Sequence, residues 1–227
     1  MNKNDLKPAS TLAKKNGVKA IVYGNPGVGK TPVIKTAPRP VIMVVEPGMM
    51  SMRDAHNIPA YEAYTFEKID EFFKWWFGSA EVSAFDTLGI DSLSQMAEIA
   101  LLHFKSKNKD GRKAYGEMSE WVMGHVSKLF YMPQKHMYLI CKQGRIDNGD
   151  NTYFVPFFPG QDLSVKIPHL FDEILRLDNK VRIPGVLKEV TAFQTKESFN
   201  YNARDRSGNL DEFEQPDLSN LFNKCMK

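Results

Sequence analysis

Residues 18–31 read VKAIVYGNPGVGKT. Val18, Ala20, Ile21, Val22 and Tyr23 form a short apolar, partly β-branched run of the kind that makes a buried strand. It leads directly into Gly24, Asn25, Pro26, Gly27, Val28, Gly29, Lys30 and Thr31, which match G-x-x-x-x-G-K-[ST] at every fixed position. Glycines let successive backbone N–H groups wrap an anion, and a following helix points the positive end of its dipole at the same phosphates. Lys30 is placed to reach the β- and γ-phosphates of a nucleotide, and the Thr31 hydroxyl to ligate Mg²⁺. The expected ligands are therefore ATP and Mg²⁺. Pro32 is unusual: it suits a first helical turn but carries no N–H for the α-phosphate, which lowers the expected affinity.

With 227 residues, 42% apolar and 25% charged, the chain is able to bury one substantial core. A single domain is expected, with residues 1–17 as an N-terminal arm, 18–170 as the phosphate-loop core and 171–227 as a β-rich extension of the same domain. Apolar runs such as VIMVV at 41–45 are too short to span a bilayer, and the opening MNKNDLKPAS lacks a signal-peptide hydrophobic region, so a cytoplasmic location without membrane contact is expected. Cys141 and Cys225 have neither zinc-site nor disulfide-framework spacing. A net charge of +3 permits nucleic-acid contact without demanding it.

Working outward, a short helix is expected to follow the loop and end before Pro38. VIMVVE at 41–46 reads as a buried parallel strand stopped by Pro47-Gly48. Ile69, Phe72, Phe73, Trp76 and Phe77 fall at helical spacing within 66–77, an aromatic stripe that belongs in a core. A strand at 87–91 ends in Asp91, and Ser92 caps a helix reaching about Lys105. The basic stretch KSKNKDGRK at 105–113 reads as a loop, a helix follows from Tyr115 to Met132, and HMYLICKQ at 136–143 reads as a strand. Asn148-Gly149 is a hairpin turn. Segments 171–178, 187–195 and 180–183 look like antiparallel strands, with a short helix from about Asp217. Alternation of strands and helices followed by a β-rich tail makes an α/β fold: a mainly parallel sheet flanked by helices, with an antiparallel extension at the C-terminal side.

Hydrolysis needs more than a phosphate cradle. Asp91 closes its strand where a carboxylate is able to hold Mg²⁺ through its water shell, although capping the next helix is an alternative role. Asp86 stands before the strand and is a poorer candidate. Glu46 ends the strand after the loop helix, where a carboxylate is able to deprotonate an attacking water; a solvated turn residue is the plainer reading. Gln143 ends a third strand, where an amide is able to contact the γ-phosphate and pass its loss to the following loop.

Together, GNPGVGKT and strands ending in Glu46, in Asp91-Ser92 and in Gln143 resemble the RecA/RadA-type recombinase core. More closely, the chain resembles the small phage-encoded RecA-like ATPases of the AAA group, some of which anneal single strands, through AFDTLGIDSLSQM, YGEMSEWVMGHVSKL, FPGQDLSVKIPHLFDEILRL and NARDRSG. The resemblance runs from about residue 18 to 222. It implies a RecA-like P-loop NTPase fold, with Glu46 as catalytic base, Lys30 on the phosphates, Asp91 on the Mg²⁺ side and Gln143 as sensor. It further implies that Arg204 and Arg206 reach into a neighbouring subunit's nucleotide in a ring or filament. Arginine's rigid, always charged fork suits phosphate oxygens.

The resemblance also implies single-stranded DNA as a partner. Lys105, Lys107, Lys109, Arg112 and Lys113 suit backbone phosphates. In the hairpin after Gln143, Arg145, Tyr153 and Phe154, followed by Phe157 and Phe158, suit stacking on unpaired bases. A single-strand-binding protein is a further possible partner, in the host cytoplasm of a phage. Two other readings stay open: an ATP-gated helicase loader or scaffold, and a small nucleotide kinase, for which no convincing arginine-rich lid is visible.

Overall fold

Lys19–Gly24 (β1) is buried along its whole length because a strand lies on each side of it and helices cover both faces. The computed structural model describes residues 6–8, 11, 17–149, 151–183, 185–198 and 200–227, so most of the expected N-terminal arm lies outside the described residues. Nine further strands share the sheet: β2 (Pro40–Val44), β3 (Ala60–Glu62), β4 (Thr87–Asp91), β5 (His136–Asn148), β6 (Asn151–Pro156), β7 (Glu173–Val181), β8 (Val190–Gln194), β9 (Arg204–Asp205) and β10 (Phe213–Glu214). Their order is β10-β8-β7-β1-β5-β4-β2-β3, with β6 on β5 and β9 on β7. All pairings from β7 across to β3 are parallel, and those of β6, β8, β9 and β10 are antiparallel. This is the mainly parallel, helix-flanked α/β architecture expected, with antiparallel strands on the C-terminal side.

One face of the sheet is covered by α1 (Phe66–Gly78), α2 (Leu93–Lys107), α3 (Gly111–Phe130) and α4 (Gln161–Leu170). Ile69, Phe72, Phe73 and Trp76 of α1 are fully buried there, so the aromatic stripe is core. The 3-10 helix Thr31–Thr36 and α5 (Leu218–Cys225) cover the other face. Asp217 caps α5 by accepting the Asn220 N–H, and Leu218 N–H donates to Thr36 Oγ1, so the C-terminal helix is fastened to the helix that follows the loop.

Three expectations change, and one further helix appears. Of residues 105–113 only 108–110 form the expected loop: Lys105 and Lys107 finish α2, and Arg112 and Lys113 begin α3, because Asp110 accepts the Arg112 N–H and caps α3 while Asn108 donates back to Phe104 O. Segment 173–181 is not part of a purely antiparallel tail, since β7 lies parallel beside β1 and turns antiparallel only toward β8 and β9. Residues 161–170, for which no element was expected, form a helix with Pro168 in its last turn, which forgoes the bond a backbone N–H there would make to the Ser164 carbonyl. Finally, the helix after the loop is 3-10 and six residues long, closed by Pro38 and Pro40, so it brings only a small dipole to the loop.

Candidate nucleotide-binding site

The loop leaves β1 at Gly24, where a side chain is impossible: a Cβ there would lie 2.3 Å from the Leu177 carbonyl oxygen of β7. Gly27 turns the chain at φ +78° with open space where a Cβ would project, leaving the concavity of the loop clear. Lys30 Nζ reaches back across that concavity, donating to Gly24 O at 2.8 Å and Asn25 O at 2.9 Å. Beneath it, the fully buried Tyr138 of β5 donates its hydroxyl to Lys30 O at 2.9 Å and holds the loop to the sheet. Burial pulls the Lys30 ammonium below its ordinary pKa, against the opposing pull of Asp91 and Glu46.

Thr31 Oγ1 donates to Asp91 Oδ2 at 2.5 Å. Asp91 is buried at the end of β4, and burial pushes its carboxyl above the usual range, with Glu46 adding to the rise and Thr31 and Lys30 opposing it. Glu46 is brought there by backbone: the amides of Val45 and Glu46 both donate to Asp91 O, at 2.7 and 3.3 Å. Among the described residues, no cluster of three or more His, Cys, Asp or Glu side chains is able to hold a metal unaided. One hydroxyl and one carboxylate beside a phosphate cradle fit Mg²⁺, which is held through few protein ligands together with nucleotide phosphates and water.

Because β5 lies between β1 and β4, its end faces both the loop and Asp91. Gln143 Nε2 donates to Asn25 Oδ1 at 3.0 Å, while Gln143 Oε1 is buried without a partner. The structure thus brings Gly24–Thr31, Glu46, Asp91 and Gln143 together.

Arg204 and Arg206 lie elsewhere. They belong to the β9 segment, which pairs with the start of β7, level with the start of β1 and so at the opposite end of the sheet from the loop. Arg204 Nη2 donates to Pro168 O and Phe171 O, and Arg206 Nη2 to His169 O, so both close the carbonyl end of α4. At the loop end, the strand beside β1 instead carries exposed Lys180 and Arg182 in and just after β7. Asp86 is held by Arg39 Nε and Nη2 at the far end of β4.

Lys105, Lys107, Lys109, Arg112 and Lys113 are all exposed at the α2–α3 corner. This corner is at the loop end of the sheet: Phe66, just after parallel β3, stacks on His103, and Tyr115 meets Gly160. The hairpin differs from expectation. Phe154 stacks on Tyr201 with centroids 4.8 Å apart and packs against the core, Phe158 is buried, and Arg145 pairs with its neighbour Asp147. Phe154 is therefore not a free stacking surface, although Arg145 is exposed. Sequence reading missed Tyr138, Lys180 and Arg182; an internal tyrosine in a strand and two cations in a hairpin carry no local mark of which end of the sheet they reach.

A family model described as an AAA domain (AAA_24) matches residues 16–207. This chain belongs to that AAA-domain family. No curated protein matches it. Among solved structures, a KaiC-like protein from the hyperthermophilic archaeon Pyrococcus horikoshii is similar at 12% identity with a TM-score of 0.39, over 78% of this chain and 85% of that one. Among the described residues of this AAA domain, no helix is long and apolar enough to cross a membrane.

Proposed function

We propose that this AAA domain binds ATP with Mg²⁺, hydrolyses it, and couples hydrolysis to single-stranded DNA at the α2–α3 corner. The observation that carries the reading is the convergence of Thr31, Asp91 and Glu46 beside the loop through hydrogen bonds of 2.5 to 3.3 Å. Thr31 and Asp91 would hold Mg²⁺, which when bound would supply charge neutralisation to the phosphates, and Lys30 would turn from the Gly24 and Asn25 carbonyls to them. Glu46 orients a water and accepts its proton. The Gln143 amide, already on Asn25, senses the γ-phosphate position.

The finer reading, a phage recombinase or annealing protein, is supported by the sequence resemblance and by the exposed cations of the corner. Assembly into a ring or filament would complete the site between protomers. A residue acting there must have its head group free to reach outward, which favours the exposed Lys180 and Arg182 over Arg204 and Arg206, whose guanidinium groups are engaged by the carbonyls at the end of α4.

Turnover of ATP with and without a long single-stranded oligonucleotide, at low and moderate salt, tests this. Stimulation that weakens with salt is the expected result. ATP binding without stimulated turnover would instead support a loader or scaffold, and phosphate transfer to a nucleotide a kinase.

A further inference from the structure

Lys142 is the residue at which the parallel sheet, α2 and the β5–β6 hairpin are tied together, and no role for it follows from the nucleotide site alone. Its ammonium donates to Gln95 Oε1 and Glu98 Oε2, each at 2.8 Å, on one face of α2. Its backbone N–H donates to Ser94 Oγ at 3.0 Å, Ser94 Oγ donates to Phe157 O at 2.6 Å, and the Phe157 N–H returns to Lys142 O at 2.9 Å. A side chain that alternates away from Gln143 along the strand is thus anchored to a helix, while Gln143 itself holds Asn25 of the phosphate loop.

The helix it grips has two functional ends. α2 starts directly after Asp91, with Ser92 as its cap, and its last turn carries Lys105 and Lys107 of the basic corner. The Lys142–Glu98 pair is half-buried, with side chains 38% and 32% exposed, so it is less screened than a surface pair and is made with two acceptors rather than one. Displacing α2 would strain both the Lys142 ammonium contacts and the bond from the Lys142 backbone N–H to Ser94 Oγ, and through that bond the backbone that places Gln143.

We propose that Lys142 is a positioning residue: through Gln95 and Glu98 it links α2 to Gln143, so that a polyanion on the basic corner changes nucleotide turnover. This rests on the reading of the loop as an ATPase site and of the corner as a polyanion site. Any change the polyanion makes in nucleotide affinity is reciprocal, so nucleotide alters polyanion affinity by that same factor, while the change in turnover need not equal it.

The test uses the full chain, a fluorescent single-stranded oligonucleotide and ATP. Lys142→Met removes the ammonium, and Glu98→Gln removes the charge while keeping an amide of the same shape should the first variant fail to fold. For the unsubstituted protein, stimulation of turnover is expected, together with an oligonucleotide affinity that nucleotide changes by about fivefold or more, the ordinary range of allosteric coupling. In the variants, kcat stimulation falls toward unity and oligonucleotide affinity no longer responds to nucleotide. KM for ATP and oligonucleotide affinity without nucleotide stay within about twofold, below the 5-fold floor of such coupling. Full stimulation in both variants overturns the role of Lys142 while leaving the proposed function standing. Absence of stimulation in the unsubstituted protein overturns both. Equal loss of KM, affinity and stimulation marks a structural role and overturns the positioning one.

Discussion

The hydroxyl of Thr31 donates to the carboxylate of Asp91 at 2.5 Å, joining residues that lie sixty positions apart. One belongs to the glycine loop and the other ends the strand two places away in the sheet. The pairing places the two oxygens suited to Mg²⁺ side by side, and the backbone amide of Glu46, bonded to the carbonyl of the same Asp91, brings a third oxygen-bearing side chain to them.

Glu46→Gln keeps shape and removes the base. Turnover should fall by about 10²–10⁴-fold while nucleotide affinity changes little, since the carboxylate acts on water and not on the loop. Steady-state phosphate release and a nucleotide titration on one preparation check this; retained turnover eliminates Glu46 as base.

Pro32→Ala restores an amide immediately after Thr31, in the first turn of the 3-10 helix where proline occupies an N-terminal position. A regained hydrogen bond to a charged phosphate contributes about 1.5 kcal/mol, so affinity should rise roughly tenfold. Calorimetry of ATP or ADP binding reads the change directly, and unchanged affinity would mean that this amide does not face the phosphates.

Arg204→Ala and Arg182→Ala should separate architecture from function. Arg204 serves the carbonyls of Pro168 and Phe171, and its loss leaves the end of α4 short of donors at a cost of about 1–3 kcal/mol in stability. Arg182 is exposed, so its removal should leave thermal stability within about 0.5 kcal/mol. If sites are completed between protomers, its turnover should nevertheless fall. Melting curves and turnover of both variants decide it; a stable Arg204→Ala with lost turnover would return the catalytic role to Arg204.

Glu173 begins β7 with no exposed surface, and both its carboxylate oxygens lack a hydrogen-bond partner. Burial, then the neighbouring Asp205, pushes its carboxyl up to about 8 from 4.5. Asp205 is held ionised by Ser207 Oγ and the amides of Gly208 and Leu210. A folded pKa above the unfolded one means that the folded state holds the proton longer. Its favourable contribution is complete below about pH 4.5 and is lost as pH rises toward 8. Glu173→Gln should therefore raise stability by about 4 kcal/mol near pH 8, roughly 10 °C in Tm, and hardly change it near pH 4.5. Thermal melts across that range are the measurement, and a pH-independent difference would show that Glu173 does not titrate there.

What could be read from the sequence alone was whatever is encoded between near neighbours in the chain. The glycine spacing of the loop, the apolar runs of β1, β2 and β4, the Ser92 cap and the helical stripe of α1 are local patterns, and the structure carries each of them. Glu46, Asp91 and Gln143 were legible because each ends an apolar run, and parallel strands end on one side of a sheet. Strand order was left to the tertiary structure. Only the placement of β5 between β1 and β4 lets Gln143 reach Asn25 and Tyr138 support Lys30. The parallel docking of β7 likewise explains why Gly24 must lack a side chain. The same contacts turn Arg204 and Arg206 to α4, stack Phe154 on Tyr201, and gather the basic corner onto two helix ends. Such outcomes depend on which distant segment a group meets. A charged or aromatic residue has the same local signature whether it faces a ligand, a helix end or the core.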